Sequence, residues 1–247
     1  RVANHTAGLP LHYQFFYVDE PVRRPPMEET LRRYGNLVTA PGEIYEYSNL
    51  GYGVLDDIIP RVSGQSYIDY MRTQVFEPLG MTHSSVDIAP QLQKIAATRY
   101  GFDGKPLPFY DFDHPGGSAV YASAHDLIRF AVFHLKNHLP DQKQILDDAT
   151  IDAMHKPTAS EGKGPDAGGY GAGFGFDLKG GHKVVSHTGS MGGVQTQMQL
   201  YPDANIAVAV PSNSGSRLPP KTADAIARQL LPNWPAEAAA SNNSGPA

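Results

Sequence analysis

Cysteine is absent from the 247 residues. That excludes disulfides, thiolate metal sites and a cysteine nucleophile, and it leaves the compartment open. Long apolar runs are missing too: no stretch approaches the roughly 18 residues that a membrane-crossing helix needs. The first residues, Arg1-Val2-Ala3-Asn4-His5, lack signal-peptide architecture and read like the interior of a domain. Charge is sparse, 18% of residues, with a formal net charge of -5 spread along the chain. A nucleic-acid surface would require a clustered basic stripe. Arg23, Arg24, Arg32 and Arg33 come nearest, but Pro25, Pro26 and two glutamates interrupt them, as on a solvated loop and helix face. No nucleic-acid partner and no membrane span are expected.

What is present suits a globular chain with a sizeable core, since 40% of residues are hydrophobic. No internal repeat is found. His5 to Pro26 is rich in aromatics and prolines without helical periodicity and is read as an ordered loop. Helices are expected at Met27 to Leu37, from Ser48 through the apolar spacing of Leu50, Val54, Leu55, Ile58 and Ile59, and at Ser66 to Val75. Another follows Ser123, a plausible N-cap, and a weaker one lies around Asp147 to His155. Beyond the glycine-rich stretch Gly162 to Gly175 the pattern turns to strands: Gly173 to Leu178, Lys183 to His187, Gln195 to Tyr201 and Ile206 to Val210. A last helix, Thr222 to Leu231, follows Pro219-Pro220. This gives a mainly helical lobe over residues 1–165, an antiparallel sheet with its C-terminal helix over 166–232, and a flexible tail over 233–247. The fold class is mixed α/β (α+β).

Two stretches stand out chemically. Tyr45-Glu46-Tyr47-Ser48-Asn49-Leu50-Gly51-Tyr52 contains the form Y-x-N, and Ser186-His187-Thr188-Gly189-Ser190 is a polar, glycine-rich strand end. Taken alone, the first is a helix cap beside an aromatic and the second an ordinary strand end. His134 and His138 stand at i, i+4, as two zinc ligands would on one helix face, but Leu135 occupies the place of a catalytic glutamate and no third ligand is evident. No metal is expected.

With its surroundings the pattern becomes specific. The Y-S-N-L-G-Y stretch is followed by Val62-Ser63-Gly64 and Pro78-Leu79-Gly80-Met81. His5-Thr6-Ala7-Gly8-Leu9 resembles an H-T-S-G-L loop, and Gly116-Gly117-Ser118 to Phe130 resembles a G-G-x-x-S-T-x-x-D-L-x-R-F segment. Together these resemble the serine β-lactamase and penicillin-binding-protein superfamily, of the class C β-lactamase, DD-peptidase and esterase type. Its three motifs are S-x-x-K, S-D-N or Y-x-N, and K-T-G.

The resemblance implies a β-lactamase/transpeptidase-like fold and a serine hydrolase that forms an acyl-enzyme on esters, β-lactams or D-amino-acid amides and peptides, without a cofactor. Tyr47 would be general base and acid, provided that nearby cations lower its pKa from about 10. Asn49 would offer its amide to the substrate, and His187 a donor or positive charge. Thr188, Gly189 and Ser190 would continue the substrate-binding strand, with the Ser190 N–H forming half of an oxyanion hole.

Two departures accompany the match. The only formal S-x-x-K, Ser160-Glu161-Gly162-Lys163, falls after Y-x-N and in glycine-rich sequence unsuited to a helix, so it is rejected. The nucleophile is therefore expected upstream of Arg1, the chain alone is expected to be inactive, and another chain or segment is expected to supply the missing N-terminal part. A non-catalytic binding module is the alternative. His187 also stands where lysine is usual, which weakens a grip on a substrate carboxylate. Tyr13, Phe15, Phe16 and Tyr17 either line an apolar acyl pocket or serve packing; both readings stay open. A bacterial periplasmic or secreted location follows from the resemblance only.

Overall fold

The computed structural model describes residues 1–160, 162 and 168–236. The chain opens with a loop that contains a short strand β1 (Phe15–Tyr17), then α1 (Met27–Tyr34), α2 (Asn49–Ser63) and α3 (Tyr67–Met71). Strands β2 (Ser84–Val86) and β3 (Tyr110–Phe112), helix α4 (Pro115–Ser118) and strand β4 (Val120–Ala122) lead to α5 (Ala124–His134) and α6 (Asp148–His155). The remainder is β5 (Ala159–Ser160), β6 (Gly169–Tyr170), β7 (Gly175–Lys179), β8 (His182–Met191), β9 (Val194–Tyr201), β10 (Ile206–Ser212) and α7 (Leu218–Leu230).

The last six strands form one antiparallel sheet in the order β10-β9-β8-β7-β6-β5. Its two faces are both covered. Val184 packs with Tyr201, Val208, Ala223 and Ala227 under α7, while the adjacent Val185 packs with Leu200, Phe174 and Ala131 of α5. Neighbouring strand residues point to opposite faces, so two consecutive buried valines require cover on both sides. The C-terminal helix covers one face, as the sequence suggests, and the helical lobe covers the other. A second core, including Phe76, Leu79, Met81, Tyr110, Phe112, Phe133 and Ile151, fills that lobe.

Several boundaries differ from the sequence reading, each for a local reason. β1 lies inside the segment read as loop and pairs with β3, Phe16 opposite Asp111; three residues are too few to show a period of two. β2 and β4, paired as Ser85 opposite Tyr121, escape for the same reason. The helix expected to run to Val75 changes at Arg72–Phe76 into a wide turn in which Glu77 N–H bonds to the Arg72 carbonyl, 2.9 Å. α7 begins at Leu218, not after the prolines, because Pro219 and Pro220 sit in its first turn, where a missing N–H costs nothing. β8 runs four residues beyond His187, carrying Thr188, Gly189 and Ser190 within the strand.

The segment expected as a free tail starts too early: Trp234 is buried and its Nε1 donates to Asp224, 2.9 Å. Residues 237–247 lie outside the described residues, as do most of 161–167, where the boundary between the two expected regions falls. Ser160 lies on β5, not on a helix, which accords with its rejection as a nucleophile.

Candidate active site

Tyr47 is carried on the turn that enters α2. The Ser48 hydroxyl caps that helix by accepting from Gly51 N–H, 2.9 Å, and donates to the Pro10 carbonyl, 2.6 Å. This fixes Tyr47 immediately before the helix, with its side chain free to turn toward the sheet. His187 comes from β8. β7 pairs with β8 only as far as Gly175 opposite Ser186, so among the described residues β8 from His187 onward has β9 on one side and no strand on the other.

Tyr47 and His187 meet across that open edge, with the phenol oxygen 3.4 Å from His187 Nε2. Both line a hollow of about 480 Å³ together with Tyr45, Tyr170, Phe176, Asp177, Ser186 and Thr188. The proton positions follow from the partners. His187 Nδ1 lies 2.6 Å from the Thr188 carbonyl, which can only accept, so Nδ1 carries the hydrogen and Nε2 turns its lone pair to the phenol. The Tyr47 hydroxyl is the donor across the long contact.

The site is electrically neutral at its centre. Burial pushes the Tyr47 phenol up, and burial holds the His187 imidazole below its ordinary value against the opposing pull of the Thr188 carbonyl. Among the described residues that line the hollow there is no Lys or Arg. The cation that was to lower Tyr47 is therefore not supplied by these residues, and the shift has the opposite sign.

The other sequence-derived residues are distributed unevenly. Thr188 lines the hollow; Gly189 and Ser190 do not, and continue into the β8–β9 hairpin opposite Thr196 and Gln195. At Gly189 a side chain would meet Thr196 Oγ1 at 2.4 Å. Asn49 starts α2 but is not among the lining residues, and its carboxamide makes no hydrogen bond among the described residues. The aromatics of the first loop do not line the hollow: Phe16 is buried, and Phe15 and Tyr17 pack on Tyr110.

His134 and His138 do not share a helix face, since α5 ends at His134; His138 lies beyond it with φ of 47° and bonds Asp148, while His134 faces His155. Among the described residues the one cluster of metal-ligand type is His12, Asp113 and His114. Its two imidazoles each bond one Asp113 oxygen at 2.7 Å, and His114 Nε2 is left buried with no hydrogen-bond partner.

Sequence reasoning gave no role to Tyr45 or Ser186, which it quoted only as motif neighbours, and did not mention Tyr170 or Asp177, which reach the hollow through the sheet on β6 and β7. It noted His5 as part of a loop motif, without a role. His5 is buried beneath Tyr47, the ring centroids 4.1 Å apart.

The comparisons with known proteins agree with this architecture. A family model described as Beta-lactamase matches residues 1–232. Protein flp of Staphylococcus aureus strain N315 is 30% identical over 195 residues, which are 77% of this chain and 38% of that protein. Penicillin-binding protein 4 of Amycolatopsis lactamdurans is 27% identical over 187 residues, 71% of this chain and 49% of that one. The octameric penicillin-binding protein homologue from Pyrococcus abyssi superposes with a TM-score of 0.72 at 27% identity, covering 93% of this chain and 55% of its own. The chain thus spans less than half the length of these two curated relatives. With a match that runs almost from end to end, the chain belongs to the beta-lactamase family.

Proposed function

We propose that this chain is the cleft-bearing part of a serine hydrolase that works through an acyl-enzyme on esters, β-lactams or D-amino-acid amides and peptides, with the S-x-x-K serine and lysine contributed by sequence outside it. The observation that carries this is the Tyr47 hydroxyl meeting an unprotonated His187 Nε2 over a shared hollow. A serine hydroxyl is a weak nucleophile until a neighbouring group takes its proton. In this reading Tyr47 takes that proton and passes it to the leaving group, once an ammonium beside it offsets the effect of burial. His187 orients the phenol, Asn49 offers an amide, and the open edge of β8 from Thr188 to Ser190 presents main-chain groups to the substrate.

The test is labelling of the full-length protein with a fluorophosphonate and with a penicillin. A covalent adduct on the S-x-x-K serine is expected, and no turnover of a chromogenic ester by residues 1–247 alone. Absence of any adduct with that serine present sinks the proposal. A second reading, a binding module that keeps the cleft without the chemistry, draws on the neutral centre and the lack of a lysine or arginine among the described lining residues. It predicts ligand retention without acylation in the same experiment.

A further inference from the structure

His5 is 1% exposed, yet it belongs to neither the sheet nor a helix. Its backbone is left-handed, φ 56°, an uncommon state for a residue with a side chain. That conformation lets one residue hold the Tyr47 turn twice. Glu46 N–H donates to the His5 carbonyl, 2.7 Å, and Ser48 N–H donates to His5 Nδ1, 3.0 Å. The two amides flanking Tyr47 are thus both anchored on His5, and its ring lies against the phenol with centroids 4.1 Å apart.

From these contacts we infer that His5 is the positioning residue of the site, fixing Tyr47 against β8. The inference rests on the functional reading above. Helix capping does not account for it, because Ser48 already caps α2 through Gly51. What His5 adds is control of residues 46 to 48, and so of the distance from the phenol to His187.

Protonation is fixed by the same geometry. Nδ1 accepts from Ser48, so the proton sits on Nε2, which is buried with no hydrogen-bond partner. The rings of Tyr45, Tyr47, Tyr52 and Tyr170 surround it at 4.1 to 5.8 Å between centroids. Among the described residues these phenols and His187 are the titratable groups facing it. Burial, with His187 nearby, holds the imidazole down at about 4, so it remains neutral where a hydrolase would work. A second proton would have to enter at Nδ1 and would displace the Ser48 amide.

The experiment uses the full-length protein with His5→Ala and His5→Asn. Asparagine tolerates a left-handed backbone and its side-chain carbonyl can accept from Ser48 N–H, but it does not fill the aromatic box. His5→Ala is expected to lose about 10²-fold in acylation kcat at little change in KM, since a displacement of about 1 Å is worth that much. His5→Asn is expected to recover to within about tenfold of the wild type. A residue that only packs would give losses that follow thermal stability, with no rescue by asparagine.

Wild-type acylation by His5→Ala, or an asparagine variant that folds well and is no better than alanine, overturns the inference. Imidazole ¹⁵N spectra of the wild type give a readout independent of activity and of variant folding. The Nε2–H tautomer should persist unchanged from pH 8 to 5, whereas an Nδ1–H tautomer or a titration near 6.5 overturns the clamp. A wild-type protein that takes no label fails the functional reading, while the spectra still decide His5.

Discussion

The Tyr47 hydroxyl donates across 3.4 Å to His187 Nε2, whose ring is held in that tautomer by the Thr188 carbonyl. A phenol that donates one long hydrogen bond contributes little to folding, whereas the proposed function makes it the proton carrier of acylation. Tyr47→Phe in the full-length protein is therefore expected to lower acylation by about 10² to 10⁴-fold, the range of general acid–base catalysis, with thermal unfolding nearly unchanged. The burst of a chromogenic ester measures it. An undiminished burst would remove Tyr47 from the chemistry.

The neutral imidazole at 187 has a second consequence. His187→Lys places an ammonium at the hollow, where burial keeps the present side chain uncharged. The charge lowers the Tyr47 phenol and attracts a substrate carboxylate. Penicillin labelling should rise by about tenfold or more relative to a neutral ester, the worth of one charge-assisted hydrogen bond. Competition between the two substrates on one preparation reads the ratio directly.

The helices and long strands were legible because their signals are local. Ser48, Ser66, Ser123 and Asp147 each precede an apolar-periodic run, and each caps a helix through its side chain. Strands β8, β9 and β10 are long enough to show between turn residues. The three-residue strands were not, because a pairing between Phe16 and Asp111 leaves no local trace. At the site, the pair Tyr47 and His187 was readable as motifs. Tyr170 and Asp177 enter the hollow through sheet register, and the sign of the Tyr47 shift depends on burial, neither of which a linear pattern encodes.

The loop that carries His5 depends on a glycine. Gly8 has φ of 77°, and a Cβ there would stand 2.2 Å from the Thr39 carbonyl oxygen, a main-chain atom that cannot swing aside. The same residue's carbonyl accepts from Val38 N–H, 2.8 Å, tying the loop to the segment after α1. Gly8→Ala should cost about 2 kcal/mol or more, from the left-handed backbone and the collision together. A urea midpoint equal to the wild type's would show that the loop can shift at no expense.

Acid should unfold this protein through its buried imidazoles. His134 Nδ1 lies 3.1 Å from His155 Nε2, so one donates and the other accepts, and the accepting ring must be neutral. Burial holds His134 down at about 3 and His155 at about 4. The unfolded chain takes up these protons near 6.5, before the folded state does, so stability rises with pH wherever the unfolded state binds more. The contribution is complete above 6.5 and is lost as pH falls from there through the folded values. Each such histidine adds a slope of up to about 1.4 kcal/mol per pH unit, and His5, held at about 4, acts in the same direction. Urea midpoints from pH 8 to 4.5 should therefore be flat above 7 and fall steeply below 6, and His155→Gln should shallow that fall by removing one titrating group. A wild-type profile that stays level down to pH 4.5 would mean that these rings take up protons inside the fold as readily as in the unfolded chain, against their burial.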